Sequence, residues 1–128
     1  MKLLLDTCTF LWIVAGSSAL SRGAREQFLD EGNEAQLSAV SKWEIAVKHA
    51  LGKLPVPVSP QRFVPAARER HGIDSLALDE ESSLQVARLP NLHRDPFDRM
   101  LVAQAIVHGL VIVTPDPDIS RYPVRTLW

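Results

Sequence analysis

The sequence predicts an α/β domain built on a mostly parallel sheet, and three observations carry that prediction. Strand-like and helix-like stretches alternate along the chain, as they do in successive βαβ units. The strand-like runs are short and apolar on consecutive positions, the pattern of strands covered on both faces. Finally, 128 residues with 46% hydrophobic and 23% charged side chains match the size and composition of one ordinary globular core. The expectation is a single domain spanning residues 1–128.

The elements follow in order. Lys2 to Leu5 is a short apolar run suited to a buried strand, and residues 7–15 (TCTFLWIVA) read as a helix stopping near Gly16. Residues 21–31 form a second helix with Ser21 as its N-cap, closing before Gly32. Gln36 to Ala39 reads as a second strand running into the helix SKWEIAVKHALG, with Gly52 just past its end. The stretch LPVPVSP at 54–60 holds three of the nine prolines and acts as a connector, because proline fits neither a helix interior nor a central strand. A helix from about Gln61 to His71 follows, then a strand near Ser75 to Leu78, then a helix capped by Asp79 that ends before Pro90. The next helix is the best marked, with Asp95 at the N-cap, Pro96 at the first helical position and Gly109 after the end. Seven of the eight residues from Met100 to Val107 are apolar, leaving only Gln104, so this helix should be buried on most sides. Leu110 to Val113 and Val124 to Trp128 supply the fourth and fifth strands.

Charge and cysteine content narrow the function classes. Fourteen Lys and Arg against fifteen Asp and Glu give a net charge of -1, so no global positive field draws the chain to nucleic acid, and such a partner must be reached through a local device. One cysteine, Cys8, excludes an intrachain disulfide and a cysteine-based zinc site, and it suits a reducing compartment. The longest apolar runs are too short to span a bilayer, and Met1-Lys2 leads directly into a strand. The expectation is a cytoplasmic protein without a membrane segment or signal peptide.

Four acids sit where strands give way to helices or turns: Asp6, Glu44, Asp98 and Asp116. Each also has a local structural reading. Asp6 can cap the helix that starts at Thr7, and Glu44 stands three residues after Ser41, as in a capping box, and four before Lys48, as in a helical ion pair. Asp98 falls where a carboxylate favours the helix dipole, and Asp116 belongs to the turn formers TPDPD. These local readings leave the joint placement unexplained. In a parallel sheet, strand C-termini and the N-termini of the following helices lie along the one edge where such folds bind ligands. Carboxylates gathered there repel one another and raise each other's pKa unless a cation is present. A hard, oxygen-seeking ion, Mg²⁺ or Mn²⁺, resolves that conflict, and without a Cys or His cluster at ligand spacing zinc fits poorly. A carboxylate-held divalent ion points to phosphoryl chemistry.

At these residues the chain resembles a known family. KLLLDTCTFLW, SAVSKWEIAVKHALGKLP, HRDPFDRMLVAQA and VIVTPDPDISRYPVRTLW resemble, in order, the successive blocks of a PIN domain, and more narrowly of the VapC-type ribonuclease toxins of bacterial toxin–antitoxin pairs. The resemblance covers essentially the whole chain. It implies a three-layer α/β/α fold with a five-stranded parallel sheet, Mg²⁺- or Mn²⁺-dependent endonucleolytic cleavage of RNA, a small antitoxin as partner, and a homodimer. Position by position, Asp6 matches the aspartate after the family's first strand, Glu44 the glutamate of the WEI block, Asp98 the aspartate opening the D-x-x-[LIV]-[LIV]-A helix, and Asp116 the last aspartate in T-x-D. Cys8 stands where the opening block commonly carries His, and Asp118 adds a carboxylate two residues beyond Asp116.

The resulting expectation gives Asp6 and Asp98 direct contact with the metal, with Glu44 and Asp116 completing the site directly or through water. Water deprotonated with help from the metal and Glu44 then attacks phosphorus in line. Thr7, Thr9 and Thr114 are candidates for substrate or outer contacts, as are Asp95, Arg99 and Asp118. Lys42, Lys48, Arg94 and Arg99 form a candidate basic fringe, and Trp12 and Trp43 read first as core or dimer residues and second as base-stacking platforms. The four histidines are scattered and read as surface or packing residues, with His93 kept in view because it stands two positions from Asp95. Two readings of another class compete. A receiver-like Mg²⁺-binding signalling module would need paired acids after the first strand and a lysine where Thr114-Pro115 stands, and neither is present. A non-catalytic binding protein would use all four acids as helix caps.

Overall fold

A computed structural model describes residues 1–128, in which five strands alternate with seven helices. The strands are β1 (Lys2–Leu5), β2 (Glu34–Ser38), β3 (Asp74–Leu76), β4 (Val111–Val113) and β5 (Arg125–Leu127). The helices are α1 (Thr7–Ala15), α2 (Arg22–Leu29), α3 (Ala39–Ala50), α4 (Pro60–Arg70), α5 (Glu80–Gln85), α6 (Pro96–His108) and α7 (Pro117–Ser120). All pairings are parallel and the strand order is β3-β2-β1-β4-β5.

The alternation of side chains along each strand builds a core on both faces of the sheet. Leu3, Leu5, Val111 and Val113 face α1, α2 and α4, where Phe10, Ile13, Ala24, Val64 and Ala67 cover them. Leu4 and Ile112 face the other way, onto Leu101, Val102 and Ala105 of α6 and Ile119 of α7. The result is the expected three-layer α/β/α sandwich on five parallel strands. Helix α3 serves both layers, with Val40 in one core and Ile45 in the other. No helix is long and apolar enough to cross a membrane.

This order fixes where a site can form. β1 and β4 are neighbours, yet the chain proceeds from β1 outward through β2 to β3 and from β4 outward to β5. A crevice therefore opens beyond the C-terminal ends of β1 and β4, where open parallel sheets bind ligands.

Several local expectations are corrected. Helix α3 begins two residues earlier than the sequence suggested: its N-cap is Ser38, whose hydroxyl accepts from the Val40 amide at 3.0 Å, so Ser41 and Glu44 do not form a capping box. The strand passes into the helix without a loop, which moves Ser41 into the helix interior, where it is fully buried. The last two of the turn formers TPDPD, Pro117 and Asp118, open the single-turn helix α7, with Asp116 as N-cap accepting from the Asp118 amide. Strands β2 and β3 also start earlier than predicted, and α2 stops at Leu29. At α6 the expected signals hold: Asp95 accepts from the Phe97 and Asp98 amides, and Gly109 closes the helix at φ 65, a left-handed conformation that suits glycine.

Candidate functional site

Asp6 is the first residue beyond β1, and its amide still donates to Val113 O of the neighbouring β4 at 3.2 Å. Its extended backbone makes it the N-cap of α1, with Oδ1 accepting from the Thr7 amide at 2.7 Å. Capping engages only Oδ1; Oδ2 faces Thr114 Oγ1, which donates to it at 2.7 Å, and Cys8 Sγ at 3.6 Å. Burial raises the Asp6 carboxyl above its ordinary value; the Thr114, Thr7 and Cys8 hydrogen bonds oppose this, and the Glu44 charge adds to it.

Glu44 projects from the second turn of α3 and is buried. Thr7 Oγ1 donates to its Oε1 at 2.7 Å, and Lys48, one turn later, pairs with Oε2. Thr7 thus touches both acids, its amide holding Asp6 and its hydroxyl holding Glu44. The Lys48 ammonium is raised by its hydrogen bond to Glu44 and by the charges of Glu44, Asp95 and Asp98, with burial opposing.

Asp98 lies in the first turn of α6, nearly buried. Its carboxyl is pushed up to about 7, first by burial and then by the charges of Asp95, Asp6 and Asp116, against a lowering hydrogen bond from His93. Asp116 reaches the same place from the end of β4, and Thr114 Oγ1 accepts from its amide at 3.1 Å.

These residues line one open cleft of about 360 Å³, whose walls include Asp6, Glu44, Asp95, Asp98 and Asp116 with Lys48 and Lys53. The four acids singled out in the sequence are brought together, and Asp95 joins them while capping α6. As placed, no three His, Cys, Asp or Glu side chains are arranged to ligate one ion. Each acid is instead held by a protein donor: Asp6 by Thr114, Glu44 by Lys48 and Thr7, Asp98 by His93, and Asp95 and Asp116 by the helix amides they cap. Five carboxylates facing two lysines leave negative charge without a partner, and an all-oxygen donor set of this kind suits Mg²⁺ or Mn²⁺ better than a softer metal. The residues fit a hard divalent cation, with Lys48 supplying positive charge in the same space.

Other expectations fail. Thr9 is no substrate contact: it is fully buried and its hydroxyl donates to Val113 O at 2.7 Å, tying α1 to β4. Asp118 is exposed, lies outside the cleft and faces Arg121 at 3.8 Å. Arg99 turns away from the acids, with Nη1 donating to Pro90 O and to Tyr122 OH, each at 2.9 Å. Of the basic fringe, only Lys48 lines the cleft; Lys42 bonds Ser75 instead, and Arg94 shares a neighbouring hollow with Arg99. Trp12 packs against the core and Trp128, whereas Trp43 is 58% exposed, edge-on to Phe97. Cys8 lies in the cleft wall, its thiol pushed up to about 12 by burial and then by Asp6, so it stands there as a neutral, weak donor.

One contributor escaped the sequence, and a second was marked there only by its nearness to Asp95. Lys53, just after Gly52, lines the cleft, and only the return of the chain past α3 brings it there. His93 Nε2 lies 3.1 Å from Asp98 Oδ2, and its Nδ1 lies 2.7 Å from Tyr122 OH. The HxxxxD spacing is visible in the sequence, but the contact depends on how the segment before α6 folds back.

Comparison with known proteins agrees with the fold. The sequence matches the PIN domain family over residues 3–125. It is 44% identical over 50 residues to Ribonuclease VapC16 of Mycobacterium tuberculosis (strain ATCC 25618 / H37Rv), a match spanning 39% of this chain and 36% of that protein. The structure is similar to a chain of VapBC2 from Rickettsia felis bound to a DNA fragment from their promoter, with a TM-score of 0.76 at 14% identity, covering 100% of this chain and 99% of that one. DNA-bound VapBC from Salmonella typhimurium is also similar, at a TM-score of 0.69 and 22% identity over 99% of this chain and 97% of that chain.

Proposed function

This chain belongs to the PIN domain family, and from that premise we propose that it is a Mg²⁺- or Mn²⁺-dependent endoribonuclease acting as the toxin of a toxin–antitoxin pair. The observation that carries the reading is the convergence of Asp6, Glu44, Asp98 and Asp116 on one cleft at the carboxyl edge of the sheet. The short stretch shared with a mycobacterial ribonuclease, and the likeness to chains of two VapBC assemblies, support the same reading. On this reading Asp6 and Asp98 hold the ion, with Glu44 and Asp116 completing the site. A bound divalent ion supplies Lewis acidity toward a phosphate oxygen and stabilises the charge that develops there.

The chain's own residues supply the rest. Thr114 and Thr7 fix the Asp6 and Glu44 carboxylates by donating to one oxygen of each. Lys48 is paired with Glu44 Oε2 and lies within reach of incoming phosphate. When Lys48 turns to a phosphate oxygen, Glu44 Oε2 becomes free to accept the proton of the attacking water. Lys53 is exposed on the rim and offers a phosphate contact to the RNA strand. Asp95 holds the first turn of α6 and thereby the direction of Asp98. The expected partners are a small antitoxin and a second copy of the chain, and the cytoplasm is the expected place of action. Exposed Trp43, Leu51 and Leu84 offer apolar surface for such contacts.

Expression in a bacterium tests the proposal. The wild type should arrest growth and fragment RNA, and both effects should disappear in Asp6→Asn and in Asp98→Asn, each losing about 100-fold or more in cleavage rate. The purified wild type in Mn²⁺ at about 100 times its Kd should gain about 2.7 kcal/mol of stability, a gain that Asp6→Asn abolishes. Arrest persisting unchanged in both variants overturns the nuclease reading, and a co-expressed antitoxin that restores growth supports the toxin assignment.

A further inference from the structure

We infer that His93 is a positioning residue for Asp98, set in place by Tyr122 and Arg99, and that it holds one oxygen of the Asp98 carboxylate so that the other is free to take a divalent cation. The inference rests on the proposed reading of Asp98 as a metal ligand and assigns to that site a support outside the acidic set.

Three contacts form a chain. Arg99 Nη1 donates to Tyr122 OH at 2.9 Å, Tyr122 OH lies 2.7 Å from His93 Nδ1, and His93 Nε2 lies 3.1 Å from Asp98 Oδ2. One arrangement of protons satisfies all three contacts. Arginine only donates, so one lone pair of the Tyr122 oxygen is committed to Arg99 and the phenolic O–H is free to donate to His93 Nδ1. A neutral imidazole that accepts at Nδ1 carries its proton on Nε2, where it donates to the ionised Asp98. The donor is therefore aimed at the ionised carboxylate, the form of Asp98 that a divalent cation would take.

The chain is also held stiffly. Tyr122 is 3% exposed, and the side chains of His93 and Asp98 are each 13% exposed. The imidazole and phenol rings lie 5.4 Å apart, the Arg99 guanidinium sits 5.8 Å from the Tyr122 ring centre, and Nη1 is tied to Pro90 O as well. His93 is not needed to start α6, because Asp95 already accepts from the Phe97 and Asp98 amides. Its Nε2 contact serves the Asp98 side chain alone. Hydrogen bonds of this kind to a ligating carboxylate fix its direction, and losing them costs about 10- to 100-fold in metal affinity.

Glutamine and asparagine at position 93 separate this role from simple packing. The glutamine amide nitrogen reaches about as far as Nε2 and can donate to Asp98, whereas that of asparagine reaches only as far as Nδ1 and meets Tyr122. Mn²⁺ affinity is measured by calorimetry on RNA-free protein for the wild type, His93→Ala, His93→Asn, His93→Gln, Tyr122→Phe and Asp6→Asn, with melting in EDTA as the check of folding. His93→Ala and His93→Asn should weaken Mn²⁺ about 10- to 100-fold, His93→Gln should recover most of the loss, and Tyr122→Phe should fall between. Wild-type affinity in His93→Ala, or recovery by asparagine and not by glutamine, overturns the inference while Asp6→Asn still loses the ion. Wild-type affinity in Asp6→Asn overturns the metal-site reading itself, and the inference with it.

Discussion

At Asp98 burial and charge conflict most openly. Its carboxyl stands near 7 in the folded protein because burial and the charges of Asp95, Asp6 and Asp116 all disfavour ionisation. In the unfolded chain an aspartate titrates near ~3.9, so the folded state holds this proton more tightly. The sign follows: the metal-free protein loses stability as pH rises from ~4 toward about 7, and above that the full penalty is present. Asp98→Asn should therefore melt higher than the wild type at pH 8 in EDTA, the difference should vanish near pH 4, and in Mn²⁺ the order at pH 8 should reverse. Equal melting of the two proteins across this range in EDTA would contradict the account. Asp6 is raised for the same leading reason, burial, but Thr114 and Thr7 offset part of it by donating to the carboxylate. Cys8 makes the opposite point: its thiol, held near 12, stays neutral beside Asp6 and adds no charge to the site.

Among the elements, α6 and α1 hold the cleft together through buried polar contacts rather than through their acids. Gln104 of α6 is fully buried; its amide donates to Ala77 O at 3.2 Å, and its oxygen accepts from Ser38, the N-cap of α3. One side chain thus joins the end of β2, the start of α3 and the segment after β3. Thr9 does similar work between α1 and β4. Gln104→Ala should cost about 1–3 kcal/mol, since it leaves the Ser38 hydroxyl and a carbonyl unsatisfied in the core, and Thr9→Val should cost about 1 kcal/mol. Urea denaturation measures both through the midpoint. Thr9→Val should keep its Mn²⁺ affinity, because the Thr9 hydroxyl is spent on Val113 O and not on the cleft.

For the molecule as a whole, net charge is a poor guide to its partner. The chain carries -1, yet five of its fifteen acids face one cleft, where a divalent cation would offset them. Lys48 and Lys53 are the cations left to meet the RNA backbone at that cleft. Binding of single-stranded RNA should therefore depend only weakly on salt, and Lys53→Ala should reduce the slope of log K against log salt by about 0.7, the value for one phosphate contact. The measurement is a binding titration at several salt concentrations with Asp98→Asn, which does not cleave on the proposed mechanism. An unchanged slope would remove Lys53 from the RNA path.

The order and type of the elements, the fold class and the positions of the four acids are legible in the chain alone. Strand period, helix caps and the DP pair at residues 95–96 are local signals, set by sterics and by hydrogen bonds between residues a few positions apart. The placement of Asp6 after a strand and Asp98 in the first helical turn was legible for the same reason. Ser41 misled because two serines compete for one helix start, and only pairing of Ser38 within β2 decides between them. Which polar groups meet is set by packing. Thr9 and Thr7 are two residues apart on one helix, yet one turns to Val113 O and the other to Glu44. Arg99 reaches Tyr122, and Tyr122 reaches back to His93, which alone of the three touches Asp98. Such contacts join residues far apart in the chain, through side-chain directions that no local pattern encodes, and they exist only once both layers have packed on the sheet.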